Sequence, residues 1–435
     1  MSEVQIGLTG MGLLLLLIAL RLPIGIALIV VSFGGIWVLM DWGVAWGALG
    51  VIPYQFATNW VLSSVPMFLL LGFICYHAQL TQGLFRAAQV WLAGVPGGLA
   101  ISAILGCAGF ASVCGSSIAC SAAMGKIAVP EMMRQRYDAG LATGTVAVGG
   151  TVGALIPPSI IMILYGIIAQ ASVTQLFLGG ITVGLLTVAG YILVIVIRVK
   201  LNPALAPRST ETIPMDEKLR ALKPVWPILV VMAGIFAGLF SGLFTPTEAG
   251  AVGAFLACGV ALFNRSLTWA RFRNAILETL LTTAGLMVIA VGASLLTRFL
   301  ALSGAGSYVS SLIIDTDASF FWVMFGVVVL YLALGLFLEP IGCMLLTLPI
   351  VLPIIDATGM SLVWFGVLLT KLLEIGMITP PIGMNVFVIK GVVGQLIPTT
   401  GIFRGILWFL AADLLMIPLL IAFPDIILAL PRAAG

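Results

Sequence analysis

Helix-breaking residues inside apolar sequence carry the first chemical signal of this chain. Pro157-Pro158 and Pro380-Pro381 are its only Pro-Pro pairs, and each lies in an apolar stretch long enough to cross a membrane. Proline removes a backbone donor and clashes with the preceding turn. Neither GGTVGALIPPS (149–159) nor GMITPPIGMN (376–385) therefore reads as a regular helix. The carbonyls freed there are hard oxygen ligands suited to a small cation such as Na+, while the half-helix N-termini attract a carboxylate.

Side-chain oxygens lie upstream of each break. Ser116 and Ser117 follow Gly115, and Ser116 precedes Pro157 by 41 positions (157−116); Glu339 precedes Pro380 by the same 41 (380−339). One spacing used twice predicts two similar sites, each a polar tip plus the broken helix that follows it. Ser116 and Ser117 also suit local capping. Four acids, Glu248, Glu339, Glu374 and Asp413, fall in or near apolar segments, where burying charge is costly and marks function. Lys371 and Glu374, three apart on a helix, neutralise each other in the simplest reading; the alternative gives Lys371 to a substrate carboxylate. Glu248, in TPTE, reads as a helix cap.

The elements that must hold these residues come in two copies. The offset between the Pro-Pro pairs is 223 (380−157), and it also places Pro23 on Pro246, Pro130 on Pro353, Gly153 on Gly376 and Trp46 on Trp269. A duplicated membrane unit with a broken helix in each copy points to a binding site at the repeat interface. Apolar runs predict crossings near 4–20, 24–40, 61–78, 140–170 and 176–197, then 225–243, 247–263, 275–297, 361–390 and 402–424. Between the third and fourth of each set, 97–133 and 319–355 are interrupted at mid-length, by CGSS and by EPIG, and read as re-entrant hairpins. The segments around Trp46 (43–60) and Trp269 (266–275) read as interfacial helices.

Composition sets the solvent. Hydrophobic residues make up 61% and charged residues 8%, against about 25% charged in soluble domains, so the chain is an all-α polytopic membrane protein whose first partner is the lipid bilayer. Residues 139–197 hold no Asp, Glu, Lys or Arg. The start, MSEVQIG, lacks a basic region and reads as part of a retained helix. With the N-terminus outside, Arg21, Arg86, Arg134, Arg136, Arg198, Lys200, Arg208, Lys218, Arg220, Lys223, Arg265, Arg271, Arg273, Lys390 and Arg404 are cytoplasmic, and only Arg298 and Arg432 face out. That asymmetry follows the positive-inside rule. Five crossings per copy then make the repeat inverted: 1–198 and 225–435, joined by a Pro-rich cytoplasmic linker at 199–224. His77 is the only histidine, which excludes a His-cluster metal site. The six cysteines read as small packing residues, no organic cofactor is called for, and no basic patch suggests nucleic acid. An intramembrane enzyme built on Glu339 or Glu374 lacks a nucleophile–base pair, and a passive channel needs neither hairpins nor paired cation sites.

Several long motifs resemble the large membrane subunit of tripartite ATP-independent periplasmic (TRAP) transporters. They are VPGGLA (95–100), FASVCGSSIACSAAMGKIAVPEM (110–132), GALIPPSIIMILYG (153–166), FSGLFTPTEAGAVGAF (240–255) and EIGMITPPIGMNVFV (374–388). The resemblance covers essentially the whole chain. It implies a sodium-driven elevator in the bacterial inner membrane that imports dicarboxylates, sialic acids or related carboxylates. A periplasmic substrate-binding protein and a small four-helix membrane subunit would be its partners; a stand-alone Na+/dicarboxylate symporter of the same architecture is the alternative. By motif, sodium ligands are implied at Gly115, Ser116, Ser117, Gly150, Thr151 and Gly153, and in the second copy at Glu339, Gly342, Thr379 and Pro380. Substrate contacts are implied at Ser117, Pro157, Pro158, Ser159, Pro381, Asn385 and Lys371. Cys120, Lys126 and Glu339 depart from the residues usual in the family.

Overall fold

A computed structural model describes residues 2–207, 213–314 and 319–433; Arg208 lies outside them. Every regular element among the described residues is helical. The first half runs α1 (Glu3–Ala19), α2 (Ile24–Leu39), α3 (Trp42–Ala57), α4 (Ser64–His77), α5 (Gln82–Trp91), α6 (Gly98–Cys114), α7 (Ser117–Arg134), α8 (Ala139–Thr151), α9 (Ile160–Ile168) and α10 (Val173–Leu201). After α11 (Met215–Leu222) come α12 (Trp226–Phe240), α13 (Pro246–Phe263), α14 (Trp269–Ser303), α15 (Ala305–Ile314), α16 (Phe320–Gly335), α17 (Pro340–Ala357), α18 (Leu362–Gly376), α19 (Met384–Val393), α20 (Thr399–Ala422) and α21 (Asp425–Ala433).

Polar side chains start these helices in an otherwise apolar chain. Asp138 accepts the Leu141 amide at 2.8 Å to begin α8, and Ser361 and Thr268 cap α18 and α14 in the same way. Thr245 and Glu248 form a capping box at α13, so Glu248 is a cap. Among the described residues, seven helices are long and apolar enough to span a bilayer, and many large apolar side chains are exposed around the outside, among them Leu16, Leu185, Phe255, Leu281 and Leu415. Lipid is the solvent such a surface fits.

Contacts between the halves come in reciprocal pairs. α2 packs on α14 and α13 on α4; α8 packs on α20 and α18 on α10; α7 meets α19 and α17 meets α9. An exchange of this form is what a two-fold relation between similar units produces. Hairpin one (α6–α7) shares an apolar core with α8, α10, α19 and α20. Hairpin two (α16–α17) belongs to a larger core with α2, α4, α13, α14 and α18.

Two local expectations change. The segment at Trp269 is continuous with the next crossing in the 35-residue α14, whereas around Trp46 α3 ends and a short turn, Trp60–Ser63, intervenes. Asn59 accepts the Val61 amide and caps that turn, and Pro53 and Pro66 flank it, whereas Thr282, Ile276 and Ile289 stand at the repeat positions in the continuous helix. The 199–224 linker is partly helical: α11 lies against α5, with Trp91 donating to the Lys218 carbonyl at 3.1 Å.

Backbone-on-backbone contact between α8 and α20 depends on glycine. A Cβ on Gly144 would lie 2.7 Å from the Gly405 carbonyl carbon, and one on Gly405 would overlap the Gly140 carbonyl oxygen. Gly405→Ala is expected to destabilise the protein by about 1–3 kcal/mol through overpacking. Gly285→Ala, whose Cβ meets nothing within 4 Å, is expected to be neutral or stabilising. Thermal unfolding of both variants in detergent checks the contrast.

Candidate functional site

Tip one is shaped by its glycine. Gly115 ends α6 with φ +60°, and a Cβ there would lie 2.5 Å from the Pro158 carbonyl oxygen. Conformation and space both demand glycine. Ser116 caps α7, accepting from the Ala119 amide at 3.5 Å. Ser117 is buried and donates across the halves to Glu374 Oε2 at 2.5 Å. The first break packs directly behind: a Cβ on Gly153 would sit 3.2 Å from the Ser116 carbonyl, and one on Gly150 would sit 3.0 Å from the Ser117 carbonyl oxygen.

Tip two is held by a second glycine contact, since a Cβ on Gly335 would lie 3.0 Å from Gly376 Cα. Glu339 is the N-cap residue of α17, yet its carboxylate makes no capping hydrogen bond, and Pro340 opens the helix. The carboxylate is thus placed at a positive helix terminus with its oxygens uncommitted.

Both tips open on one cavity of about 150 Å³. Gly115, Ser116 and Ser117 line it from tip one, and Glu339, Pro340 and Ile341 from tip two. Ala154, Ile160 and Ile161 flank the first break; Glu374 and Met377 precede the second; Leu69, Thr282 and Leu286 come from α4 and α14. An adjoining space of about 390 Å³ shares Leu69, Ser116, Ile118 and Thr282 and continues to Tyr76 and Glu278. Together they reach the size of small-molecule pockets, about 300–1,000 Å³.

A buried polar chain lies behind the cavity. Lys371 donates to Asp413 Oδ1 at 2.6 Å, Tyr191 donates to Asp413 Oδ2 at 2.7 Å, and the Thr151 hydroxyl lies 3.2 Å from the Tyr191 hydroxyl. All four side chains are at most 1% exposed. The chain ties the end of α8 to α10, α18 and α20.

The sequence model of the family described as "Tripartite ATP-independent periplasmic transporter, DctM component" matches residues 11–426. The chain belongs to this family. It is 34% identical over 397 residues to the C4-dicarboxylate TRAP transporter large permease protein DctM of Pseudomonas aeruginosa, covering 89% of this chain and 90% of that protein. It is 30% identical to the sialic acid TRAP transporter large permease protein SiaM of Vibrio cholerae, over 94% and 95% of the two chains. Among solved structures, the YdaH transporter of Alcanivorax borkumensis aligns with a TM-score of 0.57 at 15% identity, over 87% of this chain and 88% of that one. That likeness shows a shared fold. The protein is accordingly a multi-pass TRAP large permease, a transporter subunit and not an enzyme.

In this TRAP permease, the residues nominated from sequence divide into cavity and support. Gly115, Ser116, Ser117 and Glu339 line the cavity. Gly150 and Gly153 support tip one, and Thr151 joins the buried polar chain. Pro157 and Pro158 are buried and joined by a cis bond, and Ser159 caps α9 by accepting from the Met162 amide at 3.3 Å. Gly342 rests on Ile24. Thr379 donates back to the Ile375 carbonyl at 2.6 Å, while Pro380 and Pro381, also cis, are exposed. Asn385 is buried and donates to the Ala147 carbonyl at 3.3 Å, tying the second break to α8.

Lys371 differs from expectation. It pairs with Asp413 instead of Glu374 and does not line the cavity. The reason is distance along the fold: α20 brings Asp413 against the Lys371 face of α18, while Glu374, one turn on, faces tip one. Glu374 as a cavity wall was underread in the sequence, although a signal existed: it stands 223 positions after Thr151, at the equivalent place before its break. Thr282 and Leu69 carried no such signal.

Breaking a buried ion pair from one side strands a charge, at a cost of about 3–5 kcal/mol, whereas replacing both partners with apolar groups is often neutral. Lys371→Met and Asp413→Leu alone are each expected to lower stability by that amount, and the double variant is expected to recover most of it. Thermal unfolding of the three variants measures the coupling directly.

Proposed function

We propose that this permease is the large membrane subunit of a Na+-driven importer of small organic acids that works by an elevator motion. One observation carries the reading: the tips of two hairpins from opposite halves, with the flanks of both breaks, meet on a single, mainly apolar cavity whose polar side chains are hydroxyls and carboxylates. The relatives named for C4-dicarboxylates and sialic acid support a carboxylate cargo. Na+ fits the donors present, which are hydroxyl, carbonyl and carboxylate oxygens. Asn385 Oδ1 and Ser121 Oγ, beside the breaks, are buried without hydrogen-bond partners. Ser116, Ser117 and the carbonyls of 150–153 would hold one ion, and Glu339 with the region of Thr379 another. Bound Na+ supplies the positive charge that lets a carboxylate substrate settle at midplane depth.

The proposed mobile part is α6–α9 with α16–α19, moving against the outer helices. In this reading, residues 1–198 and 225–435 are inverted repeats, with the N-terminus periplasmic and the 199–224 linker cytoplasmic in a bacterial inner membrane. In this reading a periplasmic substrate-binding protein delivers cargo and a small four-helix subunit completes the scaffold; membership of a tripartite family supports the two-partner assembly.

Reconstitution with both partners in liposomes, scanning organic acids with and without an inward Na+ gradient, tests the proposal. Uptake is expected only with partners and gradient together. Uptake indifferent to Na+ would end the coupling claim, and uptake by the chain alone would establish a stand-alone symporter. Ser117→Ala is expected to raise the Na+ needed for half-maximal uptake by about tenfold, the loss of one oxygen contact of about 1–1.5 kcal/mol.

A further inference from the structure

A cleft of about 560 Å³ between α5 and the second arm of hairpin one shares no lining residue with the cavity at the tips. One face of α5, at Gln82, Arg86 and Gln89, stands across from Glu131 and Arg134 of α7, with Tyr137 beyond the end of α7. Phe85, Val90 and Ile127 add an apolar floor, and the size suits a small organic molecule. Its polar groups are unevenly committed. Glu131 is the one carboxylate lining the cleft among the described residues, and it is saturated. Its Oε1 accepts from Gln89 at 3.0 Å, Arg134 at 2.8 Å and Gln135 at 3.1 Å, and its Oε2 lies 2.8 Å from Arg134. Arg86 makes no hydrogen bond or ion pair with any described residue. The Tyr137 hydroxyl accepts from the Leu99 amide at 3.3 Å, which leaves its own proton to donate. A neighbouring space of about 630 Å³ shares Arg86 and Val90, but there Arg86 and Arg220 are balanced by Asp216 and Glu217. Unspent positive charge thus faces the α7 side, where a guanidinium fork over an apolar floor matches the carboxylate of an organic acid.

We propose that this cleft is a second binding site, for a small organic acid of the imported class, and that filling it from the cytoplasm slows further import. The carboxylate sits on Arg86, and the polar remainder of the acid meets Tyr137 and the uncommitted N–H groups of Arg134. The inference rests on the cargo and orientation read above, in which Arg86 and Arg134 are cytoplasmic. Position supplies the effect. α5 packs on α6 of hairpin one and on the linker helix α11, to which Trp91 donates through the Lys218 carbonyl at 3.1 Å. Gln89 and Glu131 already join α5 to α7. An acid bridging Arg86 and Arg134 adds a further tie between hairpin one and the linker. It stabilises the present arrangement over any in which the two walls separate, because a ligand shifts an equilibrium by its differential affinity for the two states. Accumulated product would in this way restrain its own import.

The test uses liposomes holding the permease and its small subunit, with the binding protein added outside only, so that uptake reports one orientation. Malate or N-acetylneuraminate, one probe for each carboxylate class among the relatives, is sealed inside at rising concentration, and initial uptake of the same labelled acid is measured. Wild-type uptake is expected to fall severalfold, with half-inhibition at about 1 mM because the Arg86 guanidinium is exposed. Arg86→Gln is expected to import at the wild-type rate without internal acid and to need about tenfold more of it for the same inhibition, the loss of one charge-assisted contact. Product re-entering the transport cavity predicts equal inhibition of both proteins, and that result overturns the site. Equilibrium dialysis of the labelled acid against the full purified chain, in choline chloride without Na+, gives a second reading. Wild type is expected to bind, Arg86→Gln to lose about tenfold in affinity and Arg86→Lys, which keeps the charge without the fork, to fall between them. Inorganic phosphate competing as well as the acid overturns the organic-acid assignment. Absence of binding in dialysis overturns the cleft alone, whereas a complete system that imports neither acid ends the cargo reading.

Discussion

Lipid offers no hydrogen bonds, and the architecture answers to that constraint. A helix interrupted at membrane depth leaves carbonyls and amides that only protein or enclosed water can satisfy. The first interruption is accordingly wrapped by neighbouring helices, while the second is covered on its flanks, with Ile378 and Asn385 buried and Pro380 and Pro381 exposed. The wrapping demands close approach, which fits the glycines at Gly115, Gly150, Gly153, Gly335 and Gly376, where an added Cβ would lie 1.8–3.2 Å from a neighbouring atom. Ser159 completes the first enclosure by capping α9, the helix that restarts beyond that break, and Ser116 caps α7 at tip one; α19 restarts beyond the second break on Gly383, without a side-chain cap. The breaks are possible because the two halves cover each other.

Charge in the interior follows the same logic with higher stakes. Lys371 and Asp413 are fully buried and satisfied by each other and by Tyr191, so they add rigidity to the junction of α10, α18 and α20 without projecting net charge. Their repeat equivalents, Val148 and Gly190 (371−223 and 413−223), are uncharged, which makes this junction a departure of the second half from the first. Glu374 belongs to the other class of buried charge, one left incomplete at a cavity wall. A hydrogen-bonded ion pair and a carboxylate with one unpartnered oxygen thus stand one helical turn apart on α18.

Much of this was legible in sequence, for physical reasons that differ by feature. The breaks were visible because proline and glycine act locally, and the hairpins because polar residues interrupt apolar runs at a repeated spacing. TRAP membership was visible in long motifs that include those same residues. The partner of Lys371 was not, because Asp413 lies 42 positions away on a helix whose facing depends on tertiary packing. The helix proximity of Glu374 suggested a pair that the fold does not make. The merging of two tip-and-break units onto one cavity was equally hidden, since spacing reports what is near in the chain and says nothing of what two halves do when they interlock. Asn59 and Thr282 mark a finer limit: a capping side chain and nearby prolines in one copy accompany a kinked pair, where the other copy forms a single 35-residue helix.

The two Pro-Pro pairs differ in one respect beyond their sequence flanks. Pro157 and Pro158 are covered, while Pro380 and Pro381 are open. Helices related by the same chain offset thus occupy unequal surroundings in a molecule whose inter-half contacts are reciprocal. One covered and one open Pro-Pro pair therefore make the two halves unequal at the same position of the repeat.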